Sequence, residues 1–324
     1  NGTSIAEILE GNEGADSLDG SGGNDTIYGN IGSDTITGGG GADTIYGGQD
    51  ADNITGDGQA DLIFGNLGND VITGGTDNDT LHGNAGDDTI TGGGNDDLIY
   101  GGQGNDSLIS SEGTDTVYGN LGNDTINSST FTGNKLLHGN AGNDSIIGSL
   151  GTNTIFGGQG NDTITGGNLA DSLRGDLGND SITGGTGADT LIGNAGNDTI
   201  TGGTDNNSIR GGQGNDTING GAGNDIIYGD IGTDTILGGL GNDTLTGGSG
   251  ADKFLFNKTI NSSGSDTITD FVSRSDKIQL LNFTNPPVIT SSNNNAVITV
   301  DTDQTITLLG VAATDITQSD FLFV

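Results

Sequence analysis

Aspartate returns every nine residues through most of this chain. From residue 11 to residue 255 it holds the sixth place of a nonapeptide, Gly-Gly-x-Gly-x-Asp-x-U-x, in which U is a large apolar residue. Twenty-seven copies follow one another, and 24 keep the aspartate. They fall into two alternating series. The odd repeats carry Asp16, Asp34, Asp52, Asp70, Asp88, Asp106, Asp124, Asp144, Asp162, Asp180, Asp198, Asp216, Asp234 and Asp252, without a loss. The even repeats carry Asp25, Asp43, Asp61, Asp79, Asp97, Asp115, Asp171, Asp189, Asp225 and Asp243, and place Lys135, Asn153 and Asn207 at the remaining three positions. Glycines allow several backbone carbonyls to turn towards one point. A carboxylate repeated beside such carbonyls is a donor set for a hard cation, and calcium, with its flexible all-oxygen coordination, suits it best.

The same spacing dictates the elements that carry these groups. An apolar eighth residue flanked by Thr, Ser or an aromatic ring reads as a three-residue strand with outward neighbours. The six residues before it, rich in Gly, Asn and Asp, read as a turn. Glycine density and the period of nine exclude a helix. Two nonapeptides, 18 residues, then make one coil, and stacked coils give an all-β parallel β-roll of two facing sheets. The eighth residue alone is expected to point inward, giving a thin, solid core with no internal pocket. Equivalent turns return every 18 residues, so an ion can sit between stacked turns and draw on both. The odd edge offers 13 gaps with aspartate on both sides and the even edge seven, which predicts roughly 13 to 20 calcium ions. At Lys135 either the ammonium stands where an ion would, or the two-residue insertion in repeat 128–138 displaces the turn.

The ends differ from the repeats. Residues 1–10 form a degenerate first repeat or cap, with Gly2, Glu7 and Leu9 in positions one, six and eight. Past Leu255 the period stops and both prolines, Pro286 and Pro287, appear. Residues 288–290, 296–300 and 305–309 read as ordinary strands of a small β-rich cap over residues 256–324.

Charge narrows the partners. The chain carries a formal −37, with 66 glycines and no Cys, Met or Trp among 324 residues. That balance excludes nucleic acid as a partner, and no apolar run reaches membrane-spanning length. Disulfides and thiolate metal sites are excluded outright. Without an initiator Met or a three-part leader, the chain is processed, a fragment, or exported by another route. The repeats hold 35 acids against four bases. They are expected to stay disordered until calcium reaches about 10⁻⁴–10⁻³ M, and then to fold cooperatively.

Two further patterns sit on the outward faces. Position nine of the even repeats forms a bulky column, Tyr28, Tyr46, Phe64, His82, Tyr100, Tyr118, His138 and Phe156, which reads either as a contact face or as simple cross-strand stacking. Position nine of the odd repeats is often Thr (Thr37, Thr55, Thr73, Thr91, Thr165, Thr183, Thr201), and with position seven it forms Thr-Ile-Thr rows such as Thr35/Thr37 and Thr199/Thr201, which read as an ice-ordering array or as plain β propensity. His82 and His138 stand about three coils apart, too far to share a metal. Gly-Gly-Gln recurs at residues 47, 101, 157 and 211, so three coils look like the duplicated unit.

The nonapeptide resembles that of RTX proteins, whose repeats form a calcium-bound parallel β-roll. The segments Asp266-Thr-Ile-Thr-Asp270-Phe and Asp276-Lys277-Ile278 are similar to the region that follows the roll in that family, and residues 320–324 resemble the end of an uncleaved type I secretion signal. The resemblance implies one-step export and folding outside the cell, with a secreted, extracellular or cell-surface location. Only ten residues precede the first clear repeat, which leaves no room for a catalytic domain. The expectation is therefore a non-enzymatic structural protein: a cell-surface or matrix element, S-layer or filament subunit, capable of self-association. An ice- or polysaccharide-binding roll, or the RTX portion of a larger secreted enzyme or toxin, is the alternative.

Overall fold

The computed structural model describes residues 2–258, 264–283, 286–301 and 304–323. Val324 and three short stretches of the C-terminal region lie outside the described residues. Two compact units result, Asn1–Thr163 and Ile164–Val324.

In the first unit two parallel sheets are built from alternate repeats. One contains Ile8–Glu13, Thr26–Ile31, Thr44–Gln49 and their successors to Asn153–Gln159, and carries the even repeats. The other runs from Ser17–Asp19 and Thr35–Gly40 to Ser145–Ile147, and carries the odd repeats. Equivalent positions pair across neighbouring coils, as Ile27 with Ile45 and Ile36 with Ile54. The all-β parallel solenoid expected from the 18-residue repeat is therefore present. The core is the expected column of position-eight residues: Ile27 to Ile155 on one sheet and Ile36 to Ile146 on the other are at most 1% exposed.

Two expectations need correction. Most strands run five or six residues, because pairing resumes after the position-one glycine. Position two then takes a left-handed backbone, as at Asn30 (φ 78°) and Asn66 (φ 79°), a conformation Asn and Gly tolerate best. Longer strands expose a longer alternation. The inward set is position six, position eight and the following position one, so aspartate and glycine share the interior with isoleucine. Glycine is also the commonest residue at position four, where the backbone turns left-handed; Asp50 and Asn95 take the same conformation elsewhere. At Gly122 (φ 130°) an added Cβ would collide with the Gly104 carbonyl one coil earlier.

The second unit repeats this architecture from Ser172–Leu177 and Ser181–Gly185 onward. The coil pattern does not stop at Leu255. Gly264–Ile268 pairs in parallel with Thr244–Ser249, and Lys277–Leu281 with Lys253–Asn257. Beyond them Gln304–Leu308 adds one more parallel strand, then Asn295–Asp301 and Val288–Ser292 follow antiparallel. Phe321–Phe323 closes the other sheet against Lys277–Leu281. Asp320 beside it is fully buried, and burial raises its pKa. Bonds from Thr317 N–H, Arg274 N–H and the Thr317 and Ser273 hydroxyls outweigh that effect and hold its carboxyl below the usual carboxylate range.

Ile90 is fully buried while Thr91 next to it faces outward. Replacing Ile90 by Ala should cost about 2–5 kcal/mol at saturating calcium, and Thr91→Ala about 0.5 kcal/mol or less, by chemical denaturation. Equal effects would contradict this core.

Candidate metal centre along the aspartate ladder

Of the 24 aspartates singled out by spacing, 23 are 3% exposed or less; Asp16, at the N-terminal end of the odd series, is partly exposed. They are held by one repeated bond. Along most of the ladder the backbone N–H of an aspartate donates to Oδ1 of its counterpart in the next coil: Asp34 to Asp52, Asp52 to Asp70 and Asp70 to Asp88, each at 2.8 Å. The even series does the same from Glu7 through Asp25, Asp43, Asp61, Asp79 and Asp97 to Asp115. In the second unit Asp198, Asp216 and Asp234 continue it to Asp252.

Oδ1 is satisfied; Oδ2 is not. At Asp25, Asp34, Asp43, Asp52, Asp61, Asp70, Asp79, Asp88, Asp97, Asp106, Asp124 and Asp144 it is buried without a hydrogen-bond partner, as it is at Asp189, Asp198, Asp216, Asp225, Asp234, Asp243 and Asp252. A buried carboxylate oxygen with no counter-charge costs several kcal/mol, so it must be met by a proton or a cation. The position-one glycine admits it. A Cβ on Gly65 would run into Asp70 Oδ2 and come within 2.9 Å of the Gly83 carbonyl oxygen of the next coil. The glycine thus keeps open a cradle bordered by a carboxylate and a carbonyl.

One turn shows which oxygens converge. Lys135, itself 3% exposed, sends its ammonium to the Ser111 carbonyl at 2.6 Å, the Gly113 carbonyl at 2.8 Å and Asp115 Oδ2 at 2.6 Å. These are positions two, four and six of one repeat, and together they accept a single positive group. Among the described residues no three His, Cys, Asp or Glu side chains gather at one point. An ion on this ladder must therefore take much of its coordination from backbone carbonyls. Those donors are hard oxygens, which fits calcium.

Two ladder members escaped the sequence reading. Asp243 N–H donates to Asp266 Oδ1 at 3.0 Å and Asp252 N–H to Asp276 Oδ1 at 3.1 Å, and both acceptors are buried. The signal was the surviving Asp-x-U triplet in Asp266-Thr-Ile and Asp276-Lys-Ile. Connections of 23 and 24 residues hid it from a search for the period. The histidines serve the outer face: His82 stacks between Phe64 and Tyr100, with ring centroids at 4.8 and 4.6 Å, and burial lowers its pKa.

The profile of the RTX calcium-binding nonapeptide repeat matches residues 1–36, 28–63, 37–72, 64–99, 73–108, 91–126, 129–164, 165–200, 201–236 and 228–257. The chain belongs to this family, and its repeats form a calcium-binding β-roll. Among solved structures, the AlgE6R3 subunit of the Azotobacter vinelandii mannuronan C5-epimerase is 25% identical; the match covers 37% of this chain and 78% of that one, with a TM-score of 0.30. The AlgE6R2 subunit of that enzyme is 24% identical over 49% of this chain and 91% of its own, with a TM-score of 0.24. The extracellular lipase LipA of Serratia marcescens is 18% identical over 82% of this chain and 45% of its own, with a TM-score of 0.23. No curated protein matches the chain significantly.

Burial, aided by like-charged neighbours along the ladder, lifts Asp52, Asp61, Asp88 and Asp97 from 3.8 to about 7. The folded chain thus holds protons that the unfolded chain has released. Without calcium, the fold is least penalised below about pH 4 and loses stability as pH rises towards 7. In excess chelator, far-UV circular dichroism should show more β structure at pH 5 than at pH 8. The opposite order would refute this account. Asp70→Asn keeps Oδ1 but removes the charge, and should raise the calcium midpoint for folding.

Proposed function

We propose that this chain is a secreted, non-catalytic structural protein that folds on meeting calcium outside the cell, as a cell-surface, extracellular-matrix, S-layer or filament subunit. The buried Oδ2 ladder carries the reading. Its carboxylates repel one another in the native arrangement, and glycine raises the entropy cost of ordering the chain. A divalent cation offsets both, so calcium binding and folding become one event. Extracellular modules of this kind respond at about 10⁻⁴–10⁻³ M calcium, so the chain stays extended at lower concentrations and closes after export.

The outer faces favour a structural role over ice or polysaccharide binding. From Tyr28 to Phe156 the rings of the column lie parallel, 4.6–5.2 Å apart, so they cover one another's faces and present only edges. A sugar ring has no open aromatic platform there. Ile31, Leu67 and Leu121, on the same sheet, are 43–55% exposed and supply apolar surface for a second copy. The threonine column on the other sheet runs in register through Thr37, Thr55, Thr73 and Thr91 and is then broken by Ile109.

Calcium titrated into chelated protein should give one cooperative rise in β signal; a fully folded chain in excess chelator would end the proposal. Electron microscopy and sedimentation with calcium should then show ordered assemblies. Monodisperse monomers at high protein and calcium, or thermal hysteresis, would argue against the structural role.

A further inference from the structure

The calcium reading leaves the three aspartate-free turns of the even series unexplained. Each residue that replaces the aspartate sets a side-chain nitrogen against carbonyls that line the ladder, Lys135 in the preceding turn and the two asparagines in their own. Lys135 Nζ meets the carbonyls of Ser111 and Gly113 as well as Asp115 Oδ2. Asn153 Nδ2 donates to the carbonyls of Ser149 (3.2 Å) and Gly151 (3.0 Å), again positions two and four, in its own turn. Asn207 Oδ1 accepts Asp189 N–H at 3.0 Å, keeping the ladder bond, while its Nδ2 donates to the Asp205 carbonyl at 3.1 Å. An aspartate at residue 207 would turn Oδ2, an acceptor, towards that carbonyl. Two acceptors facing each other need a cation between them, whereas an amide N–H₂ beside a carbonyl does not.

The substitutions at 135 and 153 belong to one continuous stretch. The turn that ends at Lys135 carries the insertion, and its Gly133 carbonyl accepts from Ser149 Oγ at 2.6 Å. Ser110 and Ser128 replace the position-one glycine in two successive turns, are fully buried, and share a hydrogen bond of 2.6 Å. Their Cβ atoms stand where glycine elsewhere keeps the cradle open. Three consecutive even turns, over residues 110–153, therefore satisfy these carbonyls from within the chain.

Building on the calcium-binding reading, we propose that Lys135, Asn153 and Asn207 are built-in replacements for calcium. Their nitrogens hold a cation position, Lys135 that of the preceding turn at residues 110–115 and the two asparagines that of their own turns, so these positions take no ion, and residues 110–153 form a stretch of the even edge that is closed without metal. Lys135 does this as a tethered cation, neutralising Asp115 in a fully buried ion pair. Asn153 and Asn207 do it as neutral donors. The opposite edge of the same coils keeps Asp106, Asp124 and Asp144 and remains calcium-dependent.

Native mass spectrometry of the full chain at saturating calcium counts the ions. Asn207→Asp changes one atom's identity and should bind one more ion than wild type. Lys135→Asp restores a carboxylate and should gain at least one. Hydrogen exchange over residues 98–121 and 190–213 establishes that the variants are folded. Unchanged counts in folded Asn207→Asp and Lys135→Asp would overturn the inference. If Lys135→Asp fails to fold, Asn153→Asp decides for the 110–153 stretch by the same criterion. Calcium bound by wild type without a gain in the variants removes this inference alone; a wild-type chain that binds no calcium removes the function beneath it as well.

Discussion

An aspartate N–H bonded to a carboxylate oxygen in the next coil is the contact on which this fold turns. It spends one oxygen of each side chain on holding the stack together and leaves the other buried and charged. Position-eight isoleucines would pack as well in many solenoids, and threonine or tyrosine outside adds little that is specific. The buried carboxylate is different, because it makes the folded state costly unless a positive charge arrives with it. Stability and ligand then become aspects of one electrostatic requirement. The glycines at position one follow from it too: they keep backbone and carboxylate close enough for several oxygens to share one cation.

Much of this was legible in the period. Nine residues with one apolar place leave little choice but a short strand and a turn, and 18 per coil sorts the repeats onto two sheets as observed. The depth of the aspartates was not legible. A sequence pattern of alternate burial counts hydrophobic residues, and an inward Asp flanked by Gly and Thr looks like turn composition. The strand therefore appeared to be three residues where the structure has five or six. Asp266 and Asp276 were missed for a related reason: ladder geometry depends on three-dimensional stacking, which tolerates a longer connection, whereas a periodic count does not.

Lys135 marks the boundary between the two kinds of evidence. Its charge and place in the repeat left two readings open, an ammonium in an ion's position or a displaced turn. Only the three contacts at 2.6–2.8 Å decide for the first. No property of the sequence indicated that the Ser149 hydroxyl would reach the Gly133 carbonyl in the neighbouring coil.

The ladder also has a direction. Where a position-six aspartate donates its N–H to a ladder side chain, the acceptor lies 18 or more residues closer to the C-terminus, as for Asp34, Asp124 and Asp243. A coil is therefore completed by the coil that is synthesised after it. On the even edge the run that Glu7 opens by donating closes at Asp115, because Lys135 offers no carboxylate to receive the next N–H. In the second unit Asp266 and Asp276 receive the donations of Asp243 and Asp252, so strands outside the nine-residue period act as the acceptors that the preceding coils lack.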